Sequence, residues 1–265
     1  MRARDDRRNS MIYWWPRVKN LGIPVPRTEI VRLRPVTIDA LSIHRYTRQP
    51  GDEPIAALCR WERAHRRVCR VLSRLGNAAY SIARSGQPLF IRTDLSAAKH
   101  SYRETCYCDA VQYYPVHIYA LAEAMDTADI MGLPWRAIVF REYIPLAARF
   151  TAFWGHLPIA PERRYFVRDG RVECRHPYWP AEALATRSNE ARLPADWRDQ
   201  LAEMNTETPE EVELLTGYAE RVAAVLPGYW SVDFALAADG RWILIDMATG
   251  DDSWHPECPM RRDGQ

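Results

Sequence analysis

Two aspartates, Asp233 and Asp246, stand at matching positions on either side of Asp239-Gly240 in the segment WSVDFALAADGRWILIDMATGDD. Asp-Gly between two β-rich arms favours the tight turn of a hairpin. Pairing about the centre of that turn sets Asp233 directly across from Asp246, and alternation turns both away from their apolar neighbours. The Cβ atoms of such a pair lie roughly 4.5–5.5 Å apart, so two carboxylates there repel each other. A divalent cation removes the repulsion, and magnesium takes hard oxygen ligands while keeping positions for phosphate oxygens. The plainer alternative is a solvated hairpin face whose acids meet water or arginine. The apolar run ILID, ending in an acid and followed by polar MATGDD, favours the cation, since reactive groups often stand at strand ends.

Lysine occurs only at Lys19 and Lys99, the rest of the 36 basic residues being arginine. An ammonium is a compact point charge used against phosphate, so the place of Lys99 matters. The cysteines Cys59, Cys69, Cys106, Cys108, Cys174 and Cys258 form no CxxC pair, which points to reduced, inert thiols. Cys106 and Cys108 with His100 and His117 imitate a zinc cluster, but their spacing matches no familiar structural site. His176 and His255 read as structural or as lining a cleft. Tyr13, Trp14, Trp15, Tyr178 and Trp179 read as core or cleft lining, and without a basic stripe they make no case for nucleic acid.

With 265 residues, 47 % of them hydrophobic, the chain can bury one large domain or two to three small lobes around a cleft. A net charge of +2 gives no bulk electrostatic argument for nucleic acid or membrane partners. No run approaches the ~20 apolar residues of a membrane helix, and no secretory stretch opens the chain. A cytoplasmic protein is therefore expected. The charged opening MRARDDRRNS, residues 1–10, reads as a flexible leader.

Positioning elements follow from period and punctuation. LGIPVPRTEIVRL reads as a loop and then a strand, in a small α/β lead-in. Ile55, Leu58, Cys59, Val68, Val71, Leu72 and Leu75 recur at helical spacing, predicting one or two amphipathic helices over 52–85. PLFIRTDL predicts a strand, SAAKHSYRET a polar loop, residues 117–131 a helix and RAIVFREYI a strand ended by Pro145. ERRYFVRDGRVECRHPYW reads as a hairpin turning at Asp169-Gly170. TPEEVELLTGYAERVAAVLPG carries a capping box from Thr208 to Glu211, with Pro209 first in the helix and Gly228 beyond its end.

This order of elements, with an acid on each arm of the last hairpin, resembles the ATP-grasp superfamily, closest to its compact phage and bacterial members. The resemblance implies an α+β ATP-grasp fold: two α+β lobes gripping ATP, preceded by a small α/β lead-in. Its boundaries would be 11–85 for the N-terminal α/β and helical region, 86–141 for lobe A and 142–265 for lobe B with the metal-binding hairpin. Asp233 and Asp246 take the magnesium (or manganese) role. Ala248 stands where the family carries asparagine, and Asp251 is the candidate third ligand. In FREYIPL, Glu142, Tyr143 and Ile144 match the hinge whose backbone binds adenine. Arg149 replaces the usual ribose-binding glutamate, a role passed to Glu162 in PERRYFV, with Arg164 meeting phosphate. Arg92 stands for the strand lysine and Ser96-Ala97-Ala98 for the glycine-rich loop, followed at once by Lys99.

The resemblance implies a ligase that uses ATP to activate a small-molecule or peptide carboxylate as an acyl phosphate for attack by an amine, thiol or similar nucleophile, with Lys99 and Arg164 balancing charge. It leaves open an ATP-binding assembly or regulatory factor without ligase turnover, and a kinase-like transfer that stops at phosphate.

Overall fold

The structure, a computed structural model, describes residues 6–41, 54–83, 86–130, 134–187, 189 and 192–256. Cys59, as a side chain, and Met131 and Cys258 lie outside this set. In chain order the elements are α1 (Met11–Val18), β1 (Thr28–Arg32), α2 (Pro35–Leu41), α3 (Pro54–Ile82), β2 (Leu89–Thr93), α4 (Tyr102–Thr105), β3 (Tyr107–Cys108), α5 (Tyr114–Ile130), β4 (Ala137–Glu142), β5 (Phe150–Ala152), α6 (Phe153–His156), β6 (Leu157–Ile159), β7 (Glu162–Arg168), β8 (Arg171–Pro177), α7 (Ala181–Leu184), α8 (Trp197–Asn205), α9 (Pro209–Val225), β9 (Tyr229–Leu236) and β10 (Trp242–Thr249).

Contacts gather these residues into two units, a central one over 27–143 and a bipartite one combining 6–26 with 144–256. The chain passes from one to the other at Pro26–Arg27 and at Tyr143–Ile144. These divisions differ from the boundaries expected at residues 85 and 141. β1 pairs with β4 along its whole length, from Thr28↔Arg141 to Arg32↔Ala137, so a strand assigned to the lead-in completes the sheet of the expected lobe A. Residues 8–10 likewise correct the expected leader. Ser10 caps α1 by accepting from Ile12 N at 3.1 Å. Asn9 bonds Asp252 at 2.8 Å and accepts from Thr249 N at 2.6 Å, while Arg8 donates to Pro227 O at 2.9 Å.

The central unit is an antiparallel sheet in the order β1-β4-β2-β3. One face is apolar: Leu89, Ile91, Ile138 and Phe140 alternate toward a core completed by Leu75 and Ala79 of α3 and Ile118, Leu121 and Ala122 of α5. Val68 and Leu75 are buried as their helical spacing required, and the expected one or two helices are the single α3. The opposite face carries Phe90, Arg92, Val139 and Arg141, since alternate residues point to opposite sides.

The bipartite unit holds a second antiparallel sheet, β10-β9-β7-β8, and the small pair β5-β6. Asp169 and Gly170 both take positive φ, 46° and 89°, the conformation the two-residue hairpin turn demands. α9 starts as expected, Thr208 accepting from Glu211 N at 3.2 Å. It buries Leu215, Ala219 and Val222 and takes up one face of the sheet through β7. There Arg163, 1 % exposed at its side chain, meets Glu211 at 2.6 Å, and Tyr218 and Tyr165 pack on Phe234.

Candidate functional site

The other face of that sheet carries the polar residues singled out by the sequence. Register places His176 opposite Arg164, Arg164 opposite Asp233 and Asp233 opposite Asp246. Residues directly opposite share a face, so one row of four polar side chains crosses the sheet. Glu162, two residues before Arg164 in β7, lies on the same face.

The hairpin reaches this pairing by a route the sequence reading did not foresee. Its turn is wider than two residues: Gly240 N bonds Ala237 O at 2.9 Å and Ala237 N bonds Arg241 O at 2.8 Å, with Gly240 at φ 85°. Pairing from that turn matches Leu244 to Phe234, on the α9 face. A register shift between Leu244 and Asp246 inserts Ile245 as an extra residue, and the bulge carries Asp246 to the face of Asp233.

Asp233 is 4 % exposed. Arg164 grips it with both arms of its fork, Nε to Oδ1 at 2.7 Å and Nη2 to Oδ2 at 2.8 Å. Arg164 also stacks over Tyr178 at 4.7 Å and donates from Nη1 to Trp254 O at 3.2 Å. Burial alone would lower its pKa; the adjacent Asp233 charge and hydrogen bonds outweigh that and raise it, with Asp246 adding to the effect. The guanidinium thus supplies positive charge beside both acids. Each carboxylate oxygen still has a second lone pair for another partner. Asp246 is half-buried and accepts from Met247 N at 2.9 Å. Asp251 is exposed on the 3-10 turn Gly250–Asp252. Among the described residues it does not converge with Asp233 and Asp246 as three ligand atoms within 4.8 Å. Ala248, in the position expected for asparagine, pairs with Ser231, whose hydroxyl meets Ser253 Oγ at 2.6 Å. Glu162 is 3 % exposed and accepts from Trp179 Nε1 at 2.9 Å.

In the central unit, Arg92 is 3 % exposed on the face opposite the apolar core and donates to Thr93 O at 3.1 Å. The loop after β2 is tightly ordered. Thr93 Oγ1 accepts from Ser96 N at 3.0 Å, Ser96 Oγ accepts from Ala98 N at 3.2 Å, and Ala98 takes φ 48°. Lys99 follows in the 3-10 turn Lys99–Ser101. Burial pushes the Cys106 thiol up to about 11, while its hydrogen bond with Thr105 and the charges of Lys99 and Arg92 act in the other direction. Arg27 holds the Glu142 carboxylate by Nε at 3.2 Å, and Glu142 N bonds Arg27 O at 2.9 Å. Tyr143 meets Tyr107 edge to face at 4.9 Å, and β4 ends at Glu142, before the boundary at Tyr143–Ile144. Arg141 was missed by the sequence reading. It is 3 % exposed and shares the face of Arg92; the signal was an arginine at period two from Val139 in an otherwise apolar strand.

Two four-stranded antiparallel sheets, each with helices on one face, carry the ATP-grasp fold. The chain belongs to the ATP-grasp domain family R2K clade family 3, whose model matches residues 75–263. Among solved structures, C-terminally truncated Cdc123 from Schizosaccharomyces pombe is 12 % identical, with 92 % of this chain and 84 % of that one covered at a TM-score of 0.52. D-alanyl-alanine synthetase A from Vibrio cholerae is 12 % identical, with 92 % of this chain and 55 % of that one covered at 0.43. ATP-grasp ligase PsnB, solved with minimal precursor, Mg and ADP, is 12 % identical, with 91 % and 50 % covered at 0.41. No curated protein matches the chain. No helix among the described residues is long and apolar enough to cross a membrane.

Proposed function

We propose that this protein is a cytoplasmic, ATP- and magnesium-dependent ligase that joins a small-molecule or peptide carboxylate to an amine or similar nucleophile. The observation that carries the proposal is the register pairing of Asp233 with Asp246 beside Arg164, on a chain of the ATP-grasp family. Two adjacent carboxylates are a hard-oxygen donor set that fits magnesium, and manganese shares that preference. Asp233 and Asp246 would hold the ion; Asp251 is left out because it does not converge with them. When bound, the ion neutralises phosphate charge.

The chain's own groups divide the remaining work. Arg92, Arg141 and Lys99 counter the triphosphate charge, the two arginines through planar forks and Lys99 as a point charge on its loop. Backbone at Glu142, Tyr143 and Ile144 binds the adenine edge, with Glu142 steadied by Arg27, and Glu162 binds ribose. Arg164 holds Asp233 in a fixed orientation, and its remaining donors meet phosphate. A carboxylate oxygen of the substrate forms a bond to the γ-phosphorus as the bond to ADP breaks. The nucleophile then attacks the acyl carbon and inorganic phosphate leaves.

A second reading, a nucleotide-binding assembly or regulatory factor without turnover, is favoured by one observation. Each oxygen of Asp233 already accepts one hydrogen bond from Arg164, which leaves it a weaker ligand for a cation. Release of ADP and phosphate from Mg-ATP, screened against pools of carboxylates and amines, separates the two. Release that needs both co-substrates supports the ligase, whereas nucleotide binding with no release under any pair overturns it.

A further inference from the structure

Beside the acid row, at the β8 edge of the same sheet face, three donors of a different kind meet. Cys174 and His176 stand two residues apart on β8, so alternation sends both to one face. His255, in the segment after β10, completes the group: one ligand atom from each of the three lies within 4.8 Å of the others. Cys174 Sγ is 3.1 Å from His255 Nε2.

Both imidazoles are oriented by backbone. His176 Nδ1 is 3.0 Å from Pro177 O and His255 Nδ1 is 2.5 Å from Pro256 O. A carbonyl oxygen only accepts, so each Nδ1 carries the proton and each Nε2 presents its lone pair to the cluster. This backbone-carbonyl support is the arrangement that fixes metal-ligating histidines. His176 Nε2 is shielded from solvent and has no hydrogen-bond partner among the described residues. A buried acceptor left so is costly, and a metal ion would satisfy it. Phe166 closes the apolar side, its ring 4.1 Å from His255 and 5.6 Å from His176.

We propose that Cys174, His176 and His255 form a binding site for a borderline-soft divalent ion of the zinc class, distinct from the hard-oxygen pair Asp233 and Asp246. Thiolate with two imidazoles selects zinc over magnesium. Tetrahedral zinc requires donors about 3.3–3.6 Å apart; the Cys174–His255 pair at 3.1 Å would open slightly, and the remaining separations, all within 4.8 Å, would settle to that spacing. The ion ties the segment through His255 to β8. That segment also supplies Trp254 O to Arg164, so metal binding pins the chain lying beside the acid row. The site does not depend on the ligase proposal.

The test is a titration of tag-free, full-length protein, stripped by chelator, with cobalt(II) alone, followed by zinc competition. One equivalent of cobalt is expected to give a thiolate-to-cobalt absorption and tetrahedral d–d bands, both abolished by zinc. Cys174→Ser should lose the thiolate band. His255→Gln, at a half-buried position in the segment after β10, should fold if Cys174→Ser does not, and should bind at least ~10-fold more weakly. Cys69→Ser, at an exposed thiol, should behave as wild type. No thiolate band in the wild type, or a band kept unchanged in both Cys174→Ser and His255→Gln, overturns the proposal.

Discussion

Arg164 decides how the acid row behaves. Opposed carboxylates were expected to need a cation, and the structure supplies part of that charge from the chain itself, through a fork on Asp233 with side chains 13 % and 6 % exposed. Removing one partner of so buried a pair leaves the other uncompensated, so Arg164→Ala should lower stability by about 3–5 kcal/mol in urea unfolding. Asp246 is half-buried and outside that pair. Asp246→Asn should therefore change stability by less than about 1 kcal/mol while removing magnesium-dependent nucleotide binding. Equal destabilisation by the two variants would show that the acids do not divide in this way. The aspartates were legible because acid, turn and acid are close in sequence. The partnership of Arg164 with Asp233, and the approach of His255 to Cys174, join residues 69 and 81 positions apart, and no local period records such a meeting.

At the scale of elements, the sequence signals that succeeded were those whose chemistry is local. Thr208 caps α9 as its box implied, and Thr208→Ala should cost about 1 kcal/mol in denaturant midpoint analysis. The final hairpin shows the limit. Asp-Gly did mark the turn, but the turn is one residue wider than the pattern suggested, and the bulge at Ile245 compensates. Nothing in ILID announces a bulge, because an extra apolar residue in an apolar run leaves composition unchanged. A second constraint follows β10 at Gly250, where a Cβ would fall 2.3 Å from the Tyr229 ring. Gly250→Ala should destabilise the protein by about 1–3 kcal/mol, and Tyr229→Leu should recover part of that loss.

Across the whole molecule, order along the chain was legible and grouping was not. The succession of strand, loop, helix, strand and hairpins identified the fold. The placing of β1 beside β4 and of residues 8–10 near β10 depended on pairings separated by more than a hundred residues, where hydrophobic pattern is equally satisfied by many partners. If Mg-ATP binds the native chain, linkage requires it to stabilise that chain, by about 2.7 kcal/mol at a hundredfold excess over Kd. The central claim, that Asp233 and Asp246 hold the cation of a bound nucleotide, is tested most directly by calorimetric titration of Mg-ATP into wild type and Asp246→Asn, each with and without magnesium. Single-site binding that magnesium strengthens in the wild type, and that loses this strengthening in the variant, is the predicted result. Equal magnesium-dependent affinity in the two proteins would contradict it.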